Sequence, residues 1–318
     1  MTDWQFRKFV SGPIYAASML IRILVFALAC TVIPAPQAQA DIKPKVLVIA
    51  DTGFDTSLPI FKNRIIQEVC ILDWYSCPNG RNFQEGLGSA MIPLRISRIG
   101  GFSHGTQMAS IAALTNSKIN LILIRIVAYT NNGVRLPVQE FNVARVLDWV
   151  IQNRENFNIG ALAMAQGHHS LSLGTNYCPK NPIIEKKIVE LRRLGIPVVL
   201  PAGNAADKSR IDWPACIPAA LAIGSSTEKD EIARFSNIDR ASVDFYTLGY
   251  FDALMPGGGA TRASGTSVST LIAATNWVAR ANEEPDSTFN EIFEYFRQGP
   301  IIFDEQFNYG RLMFTQSE

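Results

Sequence analysis

Short, nearly unbroken apolar runs alternate along this chain with longer segments whose apolar residues recur at helical spacing. Residues 46–50 (VLVIA), 120–127 (NLILIRIV), 196–200 (IPVVL) and 219–223 (AALAI) read as buried strands, and residues 161–165 (ALAMA) are a short apolar segment. Residues 105–114 (GTQMASIAAL) read as a helix start and body. Residues 138–153 place Val143, Val146, Leu147 and Val150 on one helical face, and residues 182–194 (PIIEKKIVELRRL) form an amphipathic helix stopped at Gly195. A last strong helix begins near Thr266. Such alternation predicts an α/β fold with a mostly parallel central sheet and helices on both faces. In such folds, active sites lie beyond the carboxyl ends of the strands.

The first 40 residues have a different character. Arg22 precedes the apolar stretch 23–33, and Ala38-Gln39-Ala40 is an A-x-A cleavage site, which is the layout of a secretory signal peptide. A start at Met19 would give a more usual length. Residues 1–40 are therefore expected to be a leader and residues 41–318 the functional domain, periplasmic or secreted. That domain is close to neutral, so no strong field points to nucleic acid, and no second hydrophobic span anchors it in a membrane. It holds Cys70, Cys77, Cys178 and Cys216, an even count that suggests two disulfides in an exported protein. Three connectivities are possible. The short span from Cys70 to Cys77 suggests local pairing, which leaves Cys178 with Cys216.

Four stretches concentrate reactive side chains. Asp51-Thr52-Gly53 ends the first strand, His104-Gly105-Thr106 opens a helix, Gly203-Asn204 follows a strand, and Gly265-Thr266-Ser267 opens the last helix. Each alone has an ordinary structural reading. Asp-Gly and Gly-Asn are turn residues, Thr-Ser is an N-cap, and a lone histidine is more often structural than catalytic. Together they place Asp51, His104, Asn204 and Ser267 in chain order, each at a strand end or a helix start.

On these residues the chain resembles the subtilisin-like serine peptidases, the subtilases, whose triad blocks look like DTG, HGT and GTS and occur in the order Asp, His, Ser. Ala202-Gly203-Asn204 is similar to the family's oxyanion block, and Phe307-Asn308-Tyr309-Gly310 resembles its closing turn. The resemblance covers residues 44–314 and implies the family's three-layer fold. CPNG at residues 77–80 and WPACI at residues 213–217 resemble the cysteine signatures of a secreted bacterial subset, which supports pairing Cys178 with Cys216. Asp-Thr-Gly also occurs in aspartic proteases, but a pepsin-like chain needs a second such tripeptide and none is present.

The resemblance implies an exported serine endopeptidase acting on proteins or peptides. Ser267 is the nucleophile, His104 the base, Asp51 its orienting partner, and Asn204 the oxyanion donor. It also implies that substrate backbone lies between two edges, Ala165-Gln166-Gly167 and Asn132-Gly133-Val134. The family's usual Asn-Met-Ser-x-Gly reads Ala163-Met164-Ala165-Gln166-Gly167 here, so a polar Gln166 stands beside the primary pocket. His168 and His169 lack an acidic or thiol partner nearby and read as a solvated loop rather than a metal site.

Four departures qualify the resemblance. No inhibitory propeptide fits between residues 40 and 46, so a separate inhibitor or regulatory partner is an expectation. Residues 114–118 pass almost directly into a strand where many relatives carry a calcium loop, so no cofactor and no strong calcium site are expected. The helix after Ser267 reads VSTLIAA without the usual proline, and the segment 205–214 is short. The missing propeptide, the missing proline and the altered edge at residues 163–167 keep open an alternative, a catalytically weak or inactive subtilase-like protein that binds peptides or a partner in the periplasm.

Overall fold

The computed structural model describes residues 43–73, 77–99, 101–130, 132–168, 178, 180–239, 242–302 and 310–313. The expected leader, His169 and the stretch Phe307-Asn308-Tyr309 lie outside the described residues.

The apolar runs become the centre of an eight-stranded sheet. Its strands are β1 (Val46–Asp51), β2 (Ile65–Ile71), β3 (Phe83–Glu85), β4 (Leu121–Arg125), β5 (Ile159–Met164), β6 (Val198–Pro201), β7 (Leu221–Ser226) and β8 (Phe245–Leu248). Their order is β3-β2-β4-β1-β5-β6-β7-β8. All neighbours are parallel except β2 and β3. Every residue of β1, β4 and β5 is buried, which explains why these strands read as continuous apolar runs rather than alternating ones. A separate antiparallel hairpin pairs β9 (Tyr250–Leu254) with β10 (Ala260–Ser264) and leads to Ser267.

Successive residues of a strand face opposite ways, and this divides the core in two. Val46, Val48 and Ala50 join a cluster with Val143, Val146, Leu147 and Val150 of α2 and with Ile184, Ile188 and Leu191 of α3. These helices span Glu140–Asn153 and Pro182–Arg193, after α1 at His104–Thr115. Leu47 and Ile49 join the opposite cluster with Met108, Ile111 and Ala112 of α1. That cluster also holds Val268, Leu271 and Trp277 of α4 (Thr266–Glu283) and Phe289, Ile292 and Phe296 of α5 (Phe289–Arg297). The result is helix, sheet and helix in three layers. Each fully buried Val, Leu or Ile in these layers contributes roughly 1.5–3 kcal/mol against exposure, before chain entropy is subtracted.

Local signals set the helix ends. Asn181 accepts from the backbone N–H groups of Ile183 and Ile184, both at 3.2 Å, with Pro182 in the first turn of α3. Thr288 and Glu291 close a capping box on α5. α4 runs unbroken for 18 residues.

Two disulfides join Cys70 to Cys77 and Cys178 to Cys216, as the spacing suggested. The first ties the end of β2 to the segment before β3, and the second ties the segment before α3 to the segment before β7. Among the described residues, no helix is long and apolar enough to cross a membrane.

Candidate active site

Asp51 is the last residue of β1 and is fully buried. A buried carboxylate must find donors, and Asp51 has several. Oδ1 accepts from the Thr52 N–H at 2.6 Å and lies 2.8 Å from Nδ1 of His104, while Oδ2 lies 3.0 Å from the same nitrogen. With Asp51 ionised, both contacts require Nδ1 to carry the proton, so Nε2 is left as the basic nitrogen. His104 opens α1, which starts against the end of β1. A Cβ on Gly105 would fall 2.4 Å from the carbonyl oxygen of Gly53, so only glycine allows this approach. The Thr52 hydroxyl fastens the junction by accepting from Gly105 N–H at 3.0 Å and donating to Phe102 O at 3.2 Å.

Ser267 is the second residue of α4. Its N–H is among the first-turn groups that have no carbonyl four residues back, and it sits at the positive end of the helix. The turn before it needs glycine. Gly265 has φ 134°, and a Cβ there would lie 3.3 Å from Nδ2 of Asn204. Asn204 is held by Thr266: Oδ1 accepts from the Thr266 N–H at 2.8 Å and from its hydroxyl at 3.0 Å. With the oxygen engaged twice, Nδ2 remains as the donor of that amide. The Thr266 hydroxyl also accepts from Gly203 N–H at 3.2 Å.

One cleft of about 250 Å³ brings these groups together. His104, Ser267, Asn204 and Thr266 line it, with Ala165, Gln166 and Gly167 on one side and Arg135 and Asp212 also facing it. Ser267 Oγ donates to Ala165 O at 3.5 Å, and no hydrogen bond joins it to His104. Catalytic hydrogen bonds are often long in the unliganded state and tighten when substrate is bound.

The two expected substrate edges differ from one another. Ala165, Gln166 and Gly167 line the cleft. The Gln166 side chain is buried, and its amide is turned toward Asp51 and His104. Asn132, Gly133 and Val134 form the tip of a turn, closed by Gly133 N–H to Thr130 O at 2.8 Å and Thr130 N–H to Val134 O at 2.9 Å. The next residue, Arg135, reaches the cleft in their place. His168 does not lie in the solvated loop that the sequence suggested. It is half-buried, stacks on the Trp213 ring at 5.6 Å and lies 2.7 Å through Nε2 from Val138 O. Among the described residues, no group of three or more His, Cys, Asp or Glu side chains is placed to hold a metal ion.

Thr266, Arg135 and Asp212 were not singled out from the sequence. Thr266 carries a local signal, since it precedes the serine and opens the helix. Arg135 and Asp212 carry none, because tertiary contacts alone bring them to the cleft.

Known proteins share this architecture and these segments. Two solved structures superpose on most of the chain at 18% identity. A cold adapted subtilisin-like serine proteinase has a TM-score of 0.65 and covers 88% of this chain and 92% of its own. The protease domain of PatA has a TM-score of 0.66 and covers 86% and 94%. At that identity the likeness shows the fold. Among curated proteins, "Subtilisin-like protease 3" of Trichophyton equinum is 29% identical over 175 residues, 54% of this chain and 41% of its own length. "Subtilisin-like protease 4" of Trichophyton equinum is 30% identical over 173 residues, 52% and 40%. The chain thus spans less than half the length of these curated relatives. The profile of the Subtilase family matches residues 43–292, which include all four blocks around Asp51, His104, Asn204 and Ser267, and the chain accordingly belongs to the subtilase family.

Proposed function

We propose that this chain is an exported serine endopeptidase that hydrolyses peptide bonds through Asp51, His104 and Ser267, with Asn204 in the oxyanion hole. The observation that carries the reading is the fully buried Asp51 bonded at 2.8 Å to Nδ1 of His104, which itself lines one cleft with Ser267 and Asn204. His104 Nε2 takes the Ser267 proton as Oγ attacks the scissile carbonyl, and Asp51 stabilises the imidazolium that forms. The oxygen that becomes negative is met by Asn204 Nδ2 and the Ser267 N–H. The imidazolium then protonates the leaving amine. Water, deprotonated by His104, hydrolyses the acyl-enzyme and frees Ser267.

Export is supported by the two disulfides, which persist in oxidising compartments, and by the leader-like first 40 residues. Substrates are extended protein or peptide segments laid against Ala165-Gln166-Gly167. The enzyme works without a tightly bound calcium, because only residues 116–120 connect α1 to β4.

A second reading, peptide or partner binding without turnover, has one observation in its favour. Ser267 Oγ donates to Ala165 O rather than to His104. Cleavage of an unfolded protein by the purified mature chain separates the two. Turnover that is lost in both Ser267→Ala and His104→Ala supports the peptidase. Peptide binding without any cleavage supports the second reading.

A further inference from the structure

Gln166 makes contacts that a simple wall of a substrate pocket would not. The residue is 6% exposed. Nε2 lies 2.9 Å from Asp51 Oδ1 and 3.1 Å from His104 Nδ1, and Oε1 accepts from Nη2 of Arg135. Arginine carries donors only, so the amide atom it meets is the oxygen, and the amide nitrogen is thereby turned onto Asp51. The orientation is fixed from both ends, by a donor-only guanidinium and an acceptor-only carboxylate. Asp51 Oδ1 then receives three donors, from Thr52, His104 and Gln166.

We infer that Arg135 and Gln166 are positioning residues for the Asp51–His104 pair, with Arg135 acting through Gln166. The inference rests on the peptidase reading of the same cleft. Asp51 has no access to water, so its carboxylate plane is set only by its protein donors. The Thr52 N–H and the Gln166 amide hold that plane before the imidazole bonds to it. Nε2 also lies 3.1 Å from Nδ1, against the edge of the imidazole that faces Asp51. Arg135 is exposed, makes no ion pair with a carboxylate among the described residues, and donates through Nη2 to Gln166. It directly follows the turn at Asn132, Gly133 and Val134. The tether thus runs from the rim of the cleft to the buried acid.

Methionine has nearly the volume of glutamine and no donor, so Gln166→Met tests the amide apart from the packing. It is expected to lower kcat about tenfold, with KM within about twofold, because a mispositioned base slows the chemical step rather than binding. Arg135→Met is expected to lower kcat by a smaller factor. Arg135→Lys, which can still donate to Oε1, is expected to recover most of that loss. In the Gln166→Met background Arg135→Met is expected to do nothing further, since its route is gone. A wild-type kcat in Gln166→Met overturns the inference, as do losses that multiply independently in the double variant. Arg135 is exposed, so its series remains readable if Gln166→Met folds poorly. A second readout needs no turnover. In the Ser267→Ala protein, the downfield proton signal of His104 Nδ1 is expected to shift or broaden on Gln166→Met. An unchanged signal overturns the positioning role. A changed signal in a protein that cleaves nothing upholds it while the peptidase reading falls.

Discussion

Asn204 Oδ1 accepts two hydrogen bonds from Thr266, the residue immediately before Ser267. The proposed oxyanion donor and the proposed nucleophile are therefore built from one junction, where the strand-end loop after β6 meets the start of α4. Asn204→Ala is expected to lower kcat by about 10²–10³ with little change in KM, because the lost bond forms only as negative charge develops. Thr266→Val keeps the shape and the backbone donor but removes the hydroxyl, so it is expected to give a smaller loss, about tenfold, in the same parameter. Steady-state kinetics on a peptide substrate checks both. A rise in KM at constant kcat would instead make Asn204 a ground-state binding group.

Asp244 links stability to pH. Burial pushes its carboxyl up to about 6, against the backbone N–H of Ala222 and the Arg192 charge, which pull the other way. The folded state therefore holds this proton more tightly than the unfolded chain does. The stabilisation is complete below about pH 4 and is lost as pH rises through about 6, by at most about 3 kcal/mol from this group. Asp244→Asn keeps an acceptor for Ala222 N–H, now 2.8 Å from Oδ2. Its Tm advantage over the wild type is expected to grow from pH 4 to pH 6.5 and then level off. A pH-independent difference would contradict this.

The two disulfides close loops of different size. Their sequence separations are 7 and 38 residues. On the chain-entropy account, losing Cys70–Cys77 costs about 2.5 kcal/mol and losing Cys178–Cys216 about 4 kcal/mol. Denaturant unfolding of paired Cys→Ser variants is expected to rank them in that order.

Chelation tests the proposal that no tight calcium site supports the fold. A calcium ion present at 100 times its Kd would add about 2.7 kcal/mol, which corresponds to about 5–10 °C in a chain of this size. EGTA is expected to change Tm by less than about 2 °C. A larger fall would overturn the proposal.

Much of this architecture was legible before any coordinates because the local demands are strong. Strands buried on both faces leave continuous apolar runs, and β1, β4, β6 and β7 were read that way, whereas β5 showed only as a short apolar segment. The positions of Asp51, His104, Asn204 and Ser267 were legible for a related reason. Each sits beside a glycine that the backbone requires, such as Gly105 against the Gly53 carbonyl and Gly265 at φ 134°. β2 escaped because Gln67 and Glu68 interrupt its apolar run. Glu68 is nevertheless buried, and its carboxylate accepts from Ala90 N–H at 3.1 Å. α5 could have been read from its Thr288–Glu291 capping box and the spacing of Phe289, Ile292 and Phe296. The contact between Arg135 and Gln166 spans 31 residues and leaves no trace in either neighbourhood. The turn at Asn132–Val134 is set by Thr130, so the expected edge becomes a turn tip and Arg135 takes its place at the cleft.

The most direct measurement is labelling of the purified, disulfide-bonded mature protein with a fluorophosphonate, alongside Ser267→Ala and His104→Ala. Such a probe reacts with a serine only when a base activates it and an oxyanion hole receives the developing charge. Labelling of the wild type, abolished in both variants, is the result expected of an assembled Asp51–His104–Ser267 site. Folded wild-type protein that takes no label, or label that persists in Ser267→Ala, would contradict it.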